Sequence, residues 1–299
     1  MDGILNINKP TGVTSFSVVA AVRRLTGERR VGHAGTLDPL AEGVLPVCVG
    51  RGTRVQEFLL EGRKVYRADL KLGEETDTSD AEGKVTKQTD ASAITRAAFE
   101  EALKPFRGRI MQTPPMHSAI KQQGRRLYQL ARAGLEVERP GREVTIHRLE
   151  LKEFESPLAT IEVECSRGTY IRSLASDVGR LLGCGGHLTA LQRLKYGNFD
   201  IADAVSLDEL EKACFEGSWQ HFLHAPDAAL ENWPALVVAD EAEDDICHGR
   251  PLQLKEQQLP EGALDAGRCR VYGHDGAFLA VMTFEPESRR WHPDKVFVG

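Results

Sequence analysis

Val31-Gly32-His33-Ala34-Gly35-Thr36-Leu37-Asp38-Pro39-Leu40-Ala41-Glu42-Gly43-Val44-Leu45-Pro46 is the stretch on which the reading of this chain turns. One carboxylate, Asp38, stands between an apolar residue and a proline, on a glycine-punctuated segment too irregular for a solvent-facing helix. Pro39 disfavours the α region for the residue before it, which biases Asp38 toward an extended, turn-like backbone that aims its side chain in one direction. Taken alone, such an aspartate reads as a turn former or a helix cap. Any chemical partner must come from elsewhere in the chain.

Working outward, residues 3–7 read as a short strand and 8–12 as a turn. Thr14 or Ser15 caps a helix carrying Phe16, Val19, Val22 and Leu25, with Gly27 just past its end, so the opening stretch falls in the loop that follows. Residues 64–72 alternate strictly, Tyr66, Ala68, Leu70 and Leu72 forming the apolar face. Residues 73–83 are polar, and Asp77 and Asp80 there read as turn chemistry. A helix is expected over 91–106, then an extended, mobile element over 107–140 containing one short helix near 125–133. Strands follow at 144–154 and 160–165 and a helix at about 173–182, which delivers Arg172 at a strand-to-helix junction. Asn232-Trp233-Pro234 reads as a hinge into a small β module, with a capping box at Asp240 and Glu243 and strands near 252–254, 268–272, 278–283 and 295–297.

The 299 residues suit a domain of about 200 residues plus a small one. There is no signal pattern and no apolar run of about 18 residues, so a cytoplasmic protein without a membrane span is expected. Six scattered cysteines with no C-x-x-C pair imply reduced thiols and no structural zinc. His221 and His224 lie three apart, but no Asp, Glu or Cys nearby completes a metal site. The net charge of −6 conceals a gradient. Residues 104–148 hold ten Lys or Arg against Glu136, Glu138 and Glu143, whereas 225–266 hold ten acids against Arg250 and Lys255. Binding responds to local charge, so the basic middle suits phosphates despite the total.

Four segments resemble one family: Asn8-Lys9-Pro10-Thr11-Gly12-Val13-Thr14-Ser15, residues 31–41 of the opening stretch, Arg167-Gly168-Thr169-Tyr170-Ile171-Arg172, and Gly183-Cys184-Gly185-Gly186-His187-Leu188. In this order they are similar to the TruB family of bacterial tRNA pseudouridine-55 synthases, and the C-terminal module resembles a PUA domain. The resemblance implies an α+β pseudouridine synthase fold, a mixed, largely antiparallel sheet flanked by helices, over residues 1–230, with a basic RNA-gripping insertion at about 104–142. It implies a PUA-like β-barrel that binds RNA over 231–299. The implied substrate is uridine 55 in the T-arm stem-loop of tRNA, isomerised after base flipping, with no cofactor, no metal, no obligatory protein partner and a monomeric enzyme.

By the same resemblance Asp38 is the catalytic aspartate and Arg172 its ionic partner. Tyr66 stacks on the target base and assists proton removal from C5. His33 fills the space the base vacates, Tyr170 and Leu191 line the uracil pocket, and Lys9 and Pro10 support the active-site loop. His117 stands where the family commonly has tyrosine. Two other readings remain: a tRNA-folding or RNA-binding protein without catalysis, and a relative guided by a separate RNA. The first reading commits the geometry, Asp38 and Arg172 lying within about 4 Å with Tyr66 facing the same cleft.

Overall fold

The computed structural model describes residues 1–298 apart from 117, 119–120, 123, 133–134 and 136, and describes 121–122, 125–126, 128 and 131–132 as backbone only. The expected basic insertion falls partly on these positions, and His117 lies outside the described residues.

A twisted sheet positions everything else. Its strands, in chain order, are β1 (Gly3–Lys9), β2 (Val31–His33), β3 (Ala41–Val49), β4 (Lys64–Leu72), β5 (Gly108–Gln112), β6 (Arg142–Glu155), β7 (Leu158–Cys165), β8 (Gly186–Tyr196), β9 (Phe199–Asp200) and β10 (Leu223–His224). They pair in the order β10-β1-β3-β8-β4-β7-β6-β5, with β2 beside β3 and β9 beside β8. The β3–β8 pair is parallel; the other pairs are antiparallel. The sheet is therefore mixed and largely antiparallel, as expected.

Helices α1 (Ser15–Thr26), α2 (Arg96–Leu103), α3 (Ile171–Leu181) and α4 (Leu207–Phe215) cover it. The buried face of β4, continuous with Leu188 and Leu191 of β8, packs against Leu174 and Val178 of α3 and Phe99 and Leu103 of α2. Farther along the sheet, Leu5, Ile7, Leu45 and Val47 pack against α1 and α4. Thr14 Oγ1 accepts the Ser17 amide, and Gly27 closes α1 in the left-handed region at φ 71°. One reading of α1 is corrected. The buried stripe is Ser15, Val18, Val19 and Val22, and Phe16, a 100° turn away from it, is 71 % exposed.

The opening stretch is less of a loop than expected. Residues 31–33 and 41–49 are paired strands, and only 34–40 turn between them. Residues 41–49 show no apolar alternation because β3 is buried on both faces between β1 and β8.

A second sheet begins after Trp233: β11 (Ala235–Val237), β12 (Arg268–Tyr272), β13 (Phe278–Glu285) and β14 (Arg290–Val296), in that order, with α5 (Asp240–Cys247) beside it. The expected barrel is not closed among the described residues. The strand expected at 252–254 shrinks to one bridge, Leu252 to Trp291, so nothing carries the ladder from β14 back to β11. The expected capping box is also absent: Ala239 is the N-cap of α5, and Asp240 already lies inside the helix. Val281 and Phe297 of this module join Ile4, Val44 and Phe58 in one apolar cluster, and Lys295 Nζ pairs with Glu57 at 2.9 Å. The module is thus packed against the larger sheet.

Candidate active site

The turn bearing Asp38 is gripped from three sides. Ser15 Oγ accepts the Leu37 amide at 2.9 Å and donates to the Leu37 carbonyl at 3.0 Å. The Gly12 amide donates to the Pro39 carbonyl at 2.8 Å. Gly35, at φ 65°, lies where an added Cβ would stand 2.7 Å from the Tyr196 ring, so a glycine is required there. Lys9 is fully buried and donates to the carbonyls of Pro10 and Val13, which shapes the turn that holds Pro39. Burial lowers the Lys9 ammonium to about 8, although Asp38 works against that fall.

Arg172 reaches this turn from the first turn of α3. Gln112 fixes the backbone just before it, accepting the Tyr170 amide at 2.7 Å and donating to the Tyr170 carbonyl at 2.9 Å. Arg172 Nε lies 2.9 Å from Asp38 Oδ2, inside the expected limit; the guanidinium side chain is 5 % exposed and the carboxylate 40 %. Arg172 Nη1 lies 3.3 Å from Asp80 Oδ2. Asp80 is itself buried and is held by Thr78 Oγ1 at 2.6 Å and the Glu82 amide at 3.1 Å. One guanidinium therefore serves two carboxylates. Burial raises the Asp38 carboxyl above its ordinary 3.8; Arg172 opposes the rise and Asp80 adds to it.

A cleft of about 610 Å³ opens over this pair and is lined by Asp38, Tyr66, Tyr170, Arg172 and Leu191, together with Lys64 and Arg193. The β8 register explains the grouping: Leu191 lies between Ala41 of β3 and Ala68 of β4, and Arg193 between Gly43 and Tyr66. Small residues flank Leu191, which leaves room above the sheet for a flat ligand. Tyr66 is buried, and desolvation raises its hydroxyl, with Arg193 opposing. A larger hollow of about 780 Å³ on the far side of α3 contains none of the predicted site residues and mixes Asp77 and Asp177 with Arg139 and Arg180. The smaller cleft is the chemically equipped one.

His33, Lys9 and Pro10 do not line the cleft. His33 sits at the end of β2, its Nδ1 buried without a hydrogen bond among the described residues and its ring kept neutral by burial and by Arg193. Asp80, Lys64 and Arg193 were not legible as site residues from sequence. Asp80 looked like an ordinary turn aspartate. Arg193 lies on a strand whose register shifts at Leu188/Ala190 and Arg193/Lys195 erase the alternation that would reveal it.

Of the basic residues of the middle, Arg107 donates to the Leu149 carbonyl, Arg148 pairs with Glu150 and Glu162, and Arg139 donates to the Pro114 carbonyl. Part of that charge therefore serves the fold. Among the described residues no cluster of His, Cys, Asp and Glu is arranged to hold a metal, and no helix is long and apolar enough to cross a membrane.

A model of the TruB family pseudouridylate synthase N-terminal domain matches residues 23–171, and one of the tRNA pseudouridylate synthase B C-terminal domain matches 172–231. A tRNA pseudouridine synthase B of Dehalococcoides mccartyi (strain CBDB1) is 44 % identical over 298 residues, 100 % of this chain and 97 % of that protein. Proteins of the same name from Clostridium kluyveri, 43 % identical over 94 % of this chain and 95 % of theirs, and Pseudomonas paraeruginosa, 42 % over 97 % and 94 %, are similar along nearly their whole length. Among solved structures, the crystal structure of a Cbf5-Nop10-Gar1 complex superposes with a TM-score of 0.78 at 26 % identity, covering 99 % of this chain and 85 % of that one. With the site geometry and these full-length matches together, the chain belongs to the TruB family of pseudouridylate synthases and is an isomerase.

Proposed function

We propose that the protein converts uridine 55 in the T-loop of tRNA to pseudouridine, with Asp38 as the residue that starts the reaction. The observation that carries this reading is the Asp38–Arg172 pair, 2.9 Å apart at the base of a cleft that also holds Tyr66 and Leu191. Relatives named tRNA pseudouridine synthase B support tRNA as the substrate.

The isomerisation breaks the N1–C1′ bond and forms C5–C1′; one proton leaves C5 and one is gained at N1. No electrons enter or leave, and the residues of the cleft suffice. Asp38 acts ionised, at C6, C1′ or the C2′ proton, and Arg172 stabilises and aims its carboxylate. Tyr66 stacks on the uracil and removes the C5 proton, while Leu191 and Tyr170 enclose the ring. A base in a folded T-loop is reached only by flipping, which costs a few kcal/mol. His33, a flat neutral ring at the end of β2, fills the gap left in the loop, and Lys9 with Pro10 braces the Asp38 turn. The basic insertion grips the RNA backbone, and the C-terminal module is a PUA-like RNA-binding unit. Two basic residues of that module, Arg250 and Lys295, are paired with Asp245 and Glu57. The enzyme acts as a monomer without a guide RNA or protein partner.

The test uses purified protein alone and unmodified tRNA carrying tritium at uridine C5. Release of one label per tRNA, abolished when uridine 55 is replaced by cytidine, is the expected result. Stoichiometric binding without release overturns the reading in favour of an RNA-folding or RNA-binding role, and release that requires an added guide RNA overturns the stand-alone mechanism.

A further inference from the structure

Arg193 is the anomaly of the cleft. Its side chain is fully buried, 0 % exposed, yet no carboxylate among the described residues lies within ion-pair distance of it. Nε donates to the Val44 carbonyl at 2.6 Å and Nη2 to the Gly35 carbonyl at 3.0 Å. The guanidinium carbon stands 4.8 Å from the centre of the Tyr196 ring, and Arg193 is directly opposite Tyr66 in the β8–β4 register, both residues lining the cleft. The backbone is built for this approach: Gly43 faces Arg193 in the parallel register at φ 102°, and a Cβ there would stand 2.3 Å from the Arg193 carbonyl oxygen. An uncompensated buried charge is costly, and an apolar side chain of that length would pack between the same strands more cheaply. The charge and its fork are therefore retained for what they touch.

We infer that Arg193 is a positioning residue for the isomerisation: from beneath the cleft, its fork holds the Asp38 turn through the Gly35 carbonyl and orients the Tyr66 hydroxyl toward C5 of the bound uracil. The inference rests on the proposed part of Tyr66 in C5 deprotonation. In that step the C5–H bond breaks and its electron pair forms the C5–C6 π bond, while C6 gives up a pair in exchange, either to the departing Asp38 carboxylate or to N1, which is protonated. The C5 proton passes to the Tyr66 oxygen, whose own proton has left to solvent at the mouth of the cleft. The oxygen carries negative charge just before it accepts the C5 proton. Arg193 supplies a fixed positive charge beside it. The same field adds to burial at its other neighbours: burial first and Arg193 second lower His33, and burial first and Arg193 second lower Lys64 to about 8. A lone ionised carboxylate beside Arg193 would cancel this field, whereas carbonyl oxygens and rings leave it largely intact.

The experiment is single-turnover conversion of full-length tRNA bearing protium or deuterium at uridine C5, by wild type, Tyr66→Phe, Arg193→Lys, Arg193→Met and the doubles with Tyr66→Phe. Arg193→Lys keeps the charge and loses the fork; it carries the comparison by itself if Arg193→Met fails to fold. Tyr66→Phe is read first, because it contains no change at Arg193. A primary deuterium effect that emerges in it upholds the proposed role of Tyr66, and its absence removes that role and this inference together. Given that effect, the Arg193 variants are expected to slow conversion by about 10²-fold with unchanged tRNA affinity, to show the same isotope effect, and to add little in the Tyr66→Phe background. Slowing without an isotope effect, or slowing that multiplies fully with that of Tyr66→Phe, overturns the inference while leaving the role of Tyr66 intact.

Discussion

Two buried guanidiniums face one cleft and are kept there by opposite means. Arg172, delivered by a helix, lies between two carboxylates, Asp38 at 2.9 Å and Asp80 at 3.3 Å. Arg193, delivered by the sheet, has backbone carbonyls and aromatic rings for company. The helix side is a closed ionic account in which each charge depends on the others, so removing any member leaves a stranded charge. The sheet side is open, and its field reaches Tyr66, His33 and Lys64. Pairing makes Asp38 directional, and the lack of a paired carboxylate among the described residues lets the field of Arg193 reach its neighbours.

The largest expected effect breaks the helix side at Asp38, the residue proposed to react. Asp38→Asn keeps shape and removes charge, and tritium release should fall by at least about 10³-fold while filter binding of tRNA stays within threefold, roughly 0.6 kcal/mol. A parallel loss of binding would make Asp38 a structural residue. Arg172→Met comes next. It leaves Asp38 and Asp80 facing each other without a cation, and denaturant unfolding should show a loss of roughly 3–5 kcal/mol, the cost of breaking a buried pair; an unchanged unfolding midpoint would show that the two carboxylates manage without it.

Asp80→Asn sharpens the comparison through pH. In the proposed mechanism Asp38 works ionised, and its folded-state value is raised, so activity should fall as pH drops through a point above the ordinary carboxylate value of 3.8. Asp80 contributes to that rise, so Asp80→Asn should move the acid limb of the single-turnover pH–rate profile toward lower pH. Movement toward higher pH would contradict the shared-guanidinium geometry. The smallest effect is expected from Ser15→Ala, which removes one hydroxyl bonded to both backbone groups of Leu37. A stability loss of about 1–3 kcal/mol, from leaving a buried backbone group unsatisfied, should appear in thermal melts with tRNA affinity unchanged.

How much of this was legible varied with the physics of each segment. The 64–72 strand was plain because one face is buried and one is not, and α1 was plain because Thr14 and Gly27 mark its ends. The 41–49 strand was not, since burial on both faces removes alternation and Gly43 and Pro46 look like breakers. β8, the strand that gathers the site, was missed because two register shifts break its period. The open C-terminal sheet was likewise undecidable from strand signals, because closure depends on which edges meet.

Through its resemblance to the TruB family the sequence by itself pointed to the family, and by that resemblance to the largely antiparallel α+β sheet and the pairing of Asp38 with Arg172, because short motifs stay recognisable in a linear chain without tertiary context. Only the tertiary structure decided that Asp80 shares the Arg172 guanidinium, that Arg193 is buried opposite Tyr66 with no carboxylate within ion-pair distance among the described residues, and that Lys295 pairs with Glu57. Those are facts of register and burial. A charged residue has no marked identity in a linear chain until neighbouring strands determine whether it meets water, an opposite charge or neither.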